Sequence, residues 1–312
     1  MELANVVEKI LKSIGFETAR FTFRGGCFDL VATRRLLLLF IKTLTNIDKF
    51  TEEQAEDLKK LAKLFRASPL LVGLKTKNLE LEDGVVYERF GIYAITPGTL
   101  YSMFAEGEPP LIMAERGGFY VKIDGEKLRK LREERGYTLA ELATYVGVSR
   151  KSLQRYEKGE AVVSLEVALR LEEIFDEALV KPVDVLRARL EDVSLGSKPE
   201  SKLEKEVFEE LHKLGMDVVK IRRAPFNAVG KEEDEEIKLL TGIDEKKTSA
   251  TLKRARLVSQ ITEFIGSEGM FVLENARAEV ISKIPVIPKR VLEDVRDVDE
   301  LFEIIKELKS KS

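Results

Sequence analysis

Disulfide and zinc chemistry are excluded first. The 312 residues include one cysteine, Cys27, and one histidine, His212. A single thiol excludes an intrachain disulfide, and one thiol with one imidazole leaves no Cys/His cluster for a metal. Both residues read as packing or surface positions. Tryptophan is absent. Long hydrophobic runs are missing too: the longest, Leu36 to Ile41, falls far short of the ~20 apolar residues that span a bilayer. The N-terminal MELANVVEKI carries acids and no signal-type apolar core, so the expectation is a cytoplasmic protein without a membrane partner. There is no surplus of positive charge. A formal net charge of -3 excludes a chain that coats nucleic acid indiscriminately, and any attraction to DNA must be local. No glycine-rich phosphate loop occurs, because the RGG at residues 116–118 lacks the spacing and the following helix that phosphate cradling requires. A Ser/His/Asp set is excluded as well, since His212 lies on a polar helix with no evident partner.

What is present is a globular composition. Hydrophobic residues make up 44% of the chain, enough for packed cores, and the length suits two or three domains. A charged fraction of 34%, rich in Glu and Lys, resembles that of proteins from hot environments and points to a thermophilic microbe, an archaeon.

The most informative stretch is Tyr137 to Gly159. Thr138 followed three residues later by Glu141 forms a capping box that opens a helix through Val146, with Leu142 and Val146 on its inner face. Ala143 is small where a second helix must cross closely, and Gly147 can take the positive φ of a tight turn. Ser149 then caps a second helix beginning at Arg150, which buries Leu153 and Tyr156. Arg150, Lys151, Gln154, Arg155 and Lys158 fall on its opposite face as one stripe. From Val148 to Lys158, four cations (Arg150, Lys151, Arg155, Lys158) stand against one anion, Glu157, inside an otherwise acidic chain. Such a stripe supplies guanidinium and amide donors for base edges and ammonium groups for phosphates. A solvated surface helix would not bring the cap, the Ala, the Gly and the apolar spacing along with the charge.

This segment resembles the helix-turn-helix of the phage repressor and Cro family. The supporting helices fit: EKLRKLREERG before the motif, SLEVALRLEEIF after it, and PVDVLRARL closing a five-helix bundle. By position, the resemblance implies that Arg150, Lys151 and Arg155 reach bases, with Gln154 and Lys158 beside them and Ser149 and Ser152 near phosphate. Leu139 stands where many members have a phosphate-touching Gln.

The flanking regions look like two copies of one pattern. The first reads as a helix (ANVVEKILKSIG), strands (ETARFTF, CFDLVAT, LLLLFIKTL), a helix (EEQAEDLKKLAKLF), strands (PLLVGLK, YAIT) and a closing helix. After a polar joint at SLGSKPES the second offers a helix (KLEKEVFEELHKLG), strands (DVVKIRR, FNAVG), a helix (SATLKRARLVSQITEFI), a strand (MFVLEN), a short strand (VISKIPVI) and a closing helix (DELFEIIKEL). GFETARF matches GMDVVKI, FDLVA matches FNAVG, and IKTLTNID matches IKLLTGID. Such alternation indicates small α/β domains, a mixed sheet covered by helices. A hairpin, PPLIMAERGGFYVKIDG with Gly117 and Gly118 at its turn, joins the first copy to the helical domain as a linker or a dimer arm.

The element order resembles the restriction-endonuclease-like fold, which includes archaeal Holliday-junction resolvases. That resemblance implies a Mg²⁺ site made from an Asp on one strand and an acid two residues before a Lys on the next. The first copy has Asp29 and Lys42, but Phe40 at the acid position. The second has Glu236 and Lys238, but Asn227 at the Asp position. Each copy lacks one carboxylate, so no catalytic residue, metal or cofactor is expected, and the acidic run at 231–236 (KEEDEE) reads as an exposed loop.

The expected architecture is therefore α/β plus all-α: an all-helical repressor/Cro-type bundle (124–192) between two degenerate nuclease-like α/β domains (1–115 and 200–312), with a hairpin linker at 116–123. As a whole it resembles an archaeal helix-turn-helix transcriptional regulator. The expected function is sequence-specific binding of double-stranded DNA by a homodimer reading a palindromic operator through the major groove. The alternative is a metal-dependent nuclease steered by the helix-turn-helix; an antitoxin-like binder that sequesters a partner protein ranks third. No small-molecule effector is read from the sequence.

Overall fold

A computed structural model describes residues 2–187, 190, 193–196, 198–232 and 238–310. The chain begins with α1 (Leu3–Ser13), β1 (Glu17–Arg20), β2 (Leu30–Arg34), β3 (Leu37–Asn46), α2 (Glu52–Phe65), β4 (Ser68–Lys75), β5 (Val85–Arg89), β6 (Ile92–Ile95), α3 (Pro97–Tyr101), β7 (Ile112–Glu115) and β8 (Gly118–Ile123). It continues as α4 (Gly125–Glu134), α5 (Leu139–Val146), α6 (Arg150–Glu157), β9 (Val163–Ser164), α7 (Leu165–Phe175) and β10 (Val180–Lys181). The last part holds α8 (Lys202–Lys213), β11 (Asp217–Lys220), β12 (Ala228–Lys231), β13 (Lys238–Asp244), α9 (Ser249–Ile265), β14 (Glu268–Leu273), β15 (Glu279–Ile281), β16 (Ile284–Pro288), α10 (Lys289–Glu293) and α11 (Val298–Ser310). No helix among the described residues is long and apolar enough to cross a membrane.

The chain divides into two units: Met1–Phe16, Ile41–Phe50 and Ser68–Arg189 form one, and Glu17–Phe40, Thr51–Ala67 and Leu190–Ser312 the other. In the first unit the strands follow each other as β3-β4-β6-β5-β7-β8-β10, with β9 also on β8. In the second they run β1-β2-β3 and β11-β12-β13-β14-β16-β15. The expected duplication shows in this connectivity. β1 is antiparallel to β2 as β11 is to β12, and β4 is parallel to β6, itself antiparallel to β5, as β14 is to β16 and β16 to β15. β13 and β14 are buried on both faces, as strands in a helix-covered parallel pair must be. Their core gathers Leu239, Ile243, Met270 and Val272 with Leu203, Val207 and Leu211 of α8 and Leu301 and Ile305 of α11.

Three expectations need correction. The closing helix at PVDVLRARL is absent over its described part. Just before it, Val180 and Lys181 pair with Ile123 and Lys122 as a strand, the extended backbone of Lys181 agreeing with the restriction that Pro182 places on the residue before it. With β8, β9 and β10 packed onto α4–α7, this part of the chain is not an all-helical bundle; Val121 and Ile123 of β8 lie in its core. VISKIPVI is a hairpin of two strands, turning at Ser282 and Lys283 with φ of 51° and 67°. The hairpin at 112–123 is no loose linker: β7 pairs with β5, and β8 pairs with β7, β9 and β10.

Within the second unit, α2 docks on the segment after β11. Asp57 is 1% exposed, and one of its oxygens accepts the backbone N–H groups of Arg222 and Arg223, each at 2.7 Å. Gln54 donates to the carbonyls of Gly25 and Gly26 at 3.2 and 3.0 Å, and Arg223 pairs with Glu53. Burial pushes the Asp57 carboxyl up, against the lowering effect of the two N–H donors and Lys60. A raised folded-state value means that this group stabilises the fold fully below its ordinary pKa of 3.8 and that the gain is lost as pH rises through the raised value. Asp57→Asn, which keeps an acceptor and drops the charge, is therefore expected to leave stability at neutral pH unchanged or higher. Asp57→Ala orphans two N–H groups and is expected to cost about 2–4 kcal/mol in chemical denaturation.

Candidate nucleic-acid interface

The helix pair at the centre of the chain forms as its local chemistry requires. The Thr138 hydroxyl accepts from the Glu141 N–H at 3.2 Å while the Glu141 carboxylate accepts from the Thr138 N–H at 2.8 Å, closing the capping box at the start of α5. Gly147 ends that helix at φ 77°, left-handed backbone that a side chain disfavours. The Ser149 hydroxyl accepts from the Ser152 N–H at 3.0 Å and starts α6. Leu142, Ala143, Val146 and Leu153 are buried in one core with Leu128 of α4 and Ala168, Leu171 and Phe175 of α7. Burial of a leucine such as Leu153 contributes about 1.5–3 kcal/mol. Leu139 is half-buried and packs against this core, so the phosphate contact of a Gln at that position is replaced by packing.

Seating α6 produces the stripe. Ser149, Arg150, Lys151, Gln154, Arg155 and Lys158 are exposed, Ser152 is half-exposed, and Leu153 points inward. Arg150 and Lys151 have no ion pair among the described residues, leaving their donors to an incoming acceptor. Arg155 donates to the Glu160 carbonyl at 3.3 Å, and Lys158 lies 3.9 Å from the Glu160 carboxylate across exposed surface, a contact of small energetic weight.

The seat itself is an ion pair that sequence reasoning placed only in part. Glu157, the one anion counted against the stripe's four cations, turns inward, and its oxygens accept from Arg132 of α4 at 2.6 and 3.3 Å. Arg132 also donates to the Tyr137 carbonyl at 2.9 Å. The Glu157 hydrogen bond is the chief cause holding the Arg132 guanidinium above its ordinary value. Beneath the same turn, a Cβ on Gly125 would collide with the carbonyl oxygens of Tyr156 and Glu157, so only glycine lets α6 approach the start of α4. A three-to-four-residue periodicity marks Arg132 as inward-facing, but nothing in sequence spacing pairs it with a residue 25 positions away.

The nuclease-like positions are occupied by other chemistry. In the second unit Phe40 is 1% exposed and sits in a run of ring contacts from Phe21 through Phe28 and Phe40 to Phe65. An apolar ring there disfavours a hydrated cation. Glu236 lies outside the described residues. The strand register keeps Asn227 and Lys238, the Asp and Lys positions of the motif in the second copy, apart. Lys238 opposes Lys231, while Asn227 bonds the backbone of Thr241 and Ile243 at 2.8 and 2.9 Å. Lys238 is the first residue of β13, whereas Lys42 lies well inside β3, and the Lys238 ammonium sits over the Phe65 ring.

Around Asn227 a network unforeseen from sequence has formed. Glu204 of α8 accepts from Lys220 and, at 2.8 Å, from the Asn227 amide. Arg254 of α9 donates to the Asn227 side chain, to Asp244 at 2.8 Å and to the Pro225 carbonyl at 2.8 Å. Burial pushes the Glu204 carboxyl up, but hydrogen bonds from Lys220, the Glu200 N–H and Asn227 outweigh it and hold the group below its ordinary value. Both carboxylates thus face protein cations. No group of three or more His, Cys, Asp or Glu side chains able to hold a metal ion occurs among the described residues. Cys27 is buried, and the His212 ring bonds the Met216 carbonyl at 3.0 Å.

Comparison with known proteins places two family models on the chain. Residues 1–110 match the PD-(D/E)XK superfamily domain and residues 128–180 the helix-turn-helix family. Over its whole length the chain is 73% identical to a protein of Pyrococcus horikoshii, covering 100% of this chain and 99% of that one. The chain belongs to that archaeal family of helix-turn-helix transcriptional regulatory proteins. A relative in Thermococcus kodakarensis is 58% identical over 99% of this chain and 96% of its own, and one in Methanocaldococcus jannaschii is 36% identical over 91% and 89%. All three are named "Putative HTH-type transcriptional regulatory protein". Relatives in Pyrococcus and Thermococcus agree with the thermophilic, archaeal composition. No solved structure matches the chain.

Proposed function

We propose that this regulator is a homodimer that reads a palindromic operator in double-stranded DNA, laying α6 in the major groove. The observation that carries the reading is α6 itself: a capped helix seated by a part-buried ion pair, with Arg150, Lys151, Gln154, Arg155 and Lys158 exposed along one face. Arg150 and Arg155 serve base edges, where a guanidinium fork matches the two acceptors of guanine. Ser149, Ser152 and Lys158 serve the phosphates, and Lys151 and Gln154 complete the contact face. A single helix spans few base pairs, so specificity calls for a second half-site about 34 Å along the duplex.

In this reading residues 124–192 form the DNA-binding domain, and 1–115 and 200–312 are nuclease-derived domains without catalysis. The buried ring of Phe40 and the cation-paired Glu204 support that assignment over a metal-dependent nuclease. Selection of duplexes from a random pool by the full chain, followed by sequencing, tests it. The expected product is an inverted repeat with half-site centres one helical turn, or a multiple of it, apart. A pool that never departs from random, or a single asymmetric motif, would contradict it.

A further inference from the structure

We propose that the β7–β8 hairpin is a second DNA-contacting element, a wing whose tip residue Arg116 meets the phosphodiester backbone beside the groove that α6 enters. The inference rests on the DNA-binding reading above and extends it to residues outside the helix pair.

The hairpin is rigidly part of the same body as α6. Val121 and Ile123 of β8 share the core that buries Leu153 of α6, and Ile112 of β7 packs against it. The body-proximal parts of its edges are already used, Ile112 and Met113 of β7 by β5 and Tyr120 to Ile123 of β8 by β9 and β10, which leaves only about two residues of edge on each strand, too short for a strand-exchange arm. That argues against the dimer-arm alternative and leaves the tip as the part free to act.

At the tip, Glu115 opposite Gly118 is the last pair of the register, which puts Arg116 and Gly117 alone at the turn. Gly117 takes φ 100° and Gly118 φ 145°, backbone that favours glycine and lets another chain approach closely. Arg116 is exposed, and no carboxylate pairs with it among the described residues.

Tyr120 ties the tip to α6. Its hydroxyl lies 3.6 Å from where a Cβ on Gly117 would stand. The Tyr156 hydroxyl, pushed up mainly by burial, has the Arg155 guanidinium and the Tyr120 hydroxyl as its other ionisable neighbours. Tyr120 stands two residues past the tip on β8, beside Ser164 of β9, and its hydroxyl is close enough to Tyr156 of α6 to act on it electrostatically. A guanidinium at the tip and a base-reading guanidinium on α6 match a duplex edge, where phosphates flank the groove.

The test is a salt titration of full-length chain by fluorescence anisotropy, on a duplex recovered by selection and on an unrelated duplex. Arg116→Ala is expected to weaken both alike and to make the log–log salt slope shallower by about one, roughly an eightfold loss at 0.1 M relative to a 1 M reference. Arg116→Lys is expected to keep the slope. Unchanged affinity and slope in Arg116→Ala, while Arg155→Ala still weakens the selected duplex, would overturn the wing and leave α6 standing. If neither variant changes binding, both readings fall.

Discussion

Replacing Glu157 with alanine is expected to lower the free energy of unfolding by about 2–3 kcal/mol, because it removes the charged acceptor of a largely buried guanidinium. The Arg132 and Glu157 side chains are 11% and 7% exposed, and without Glu157 the guanidinium keeps the Tyr137 carbonyl and a 3.4 Å contact to Glu133. The loss falls on the contact that fixes α6 against α4, so DNA binding is expected to weaken with stability. Glu157→Gln, which retains the shape and one acceptor, should cost less. Replacing both partners with apolar residues of similar volume should cost less than the single Ala change, since no uncompensated ion then remains. Urea unfolding of the variants decides this: a loss under 1 kcal/mol for Glu157→Ala would show that the pair is a surface contact in solution.

The second large effect is on recognition. Arg150→Ala and Arg155→Ala are each expected to cost about 1–3 kcal/mol of specific binding and to relax base preference at separate positions of each half-site. The double variant is expected to lose on the order of a hundredfold or more if the two contacts are independent. Their stability should stay near wild type, because both side chains are exposed. Lys158→Ala is expected to weaken binding to all duplexes alike. Competition binding against single-base variants of the selected duplex separates these behaviours: an Arg155→Ala protein with unaltered base preference would remove that residue from the reading.

What was legible in the sequence follows from how local the deciding physics is. Capping boxes, the left-handed glycine and the apolar spacing all act within one or two helical turns, so α5 and α6 stand where Thr138, Gly147 and Ser149 place them. The spans of α2 and α9 were legible for the same reason, each opening on a threonine cap. The duplication was legible as a succession of elements.

What escaped depends on residues distant in the chain. The Arg132–Glu157 pair, the Asp57 clamp and the Glu204–Lys220–Asn227 cluster join positions that no periodicity links. The helix expected at 182–190 is absent over its described residues, where Val183 instead bonds the Pro110 carbonyl, a long-range contact that no local pattern announces. The IK motif misled because its lysine opens β13 at Lys238 but lies inside β3 at Lys42, so the same local pattern takes a different place along each strand.

The central claim, that α6 enters the major groove and reads bases there, is tested most directly by dimethyl sulfate protection on a selected duplex, since that reagent methylates guanine N7 in the major groove. Wild-type chain is expected to protect guanines within each half-site, with protection lost at specific positions in Arg150→Ala and Arg155→Ala. Bound chain that leaves every guanine N7 in the half-sites open to methylation would contradict the account.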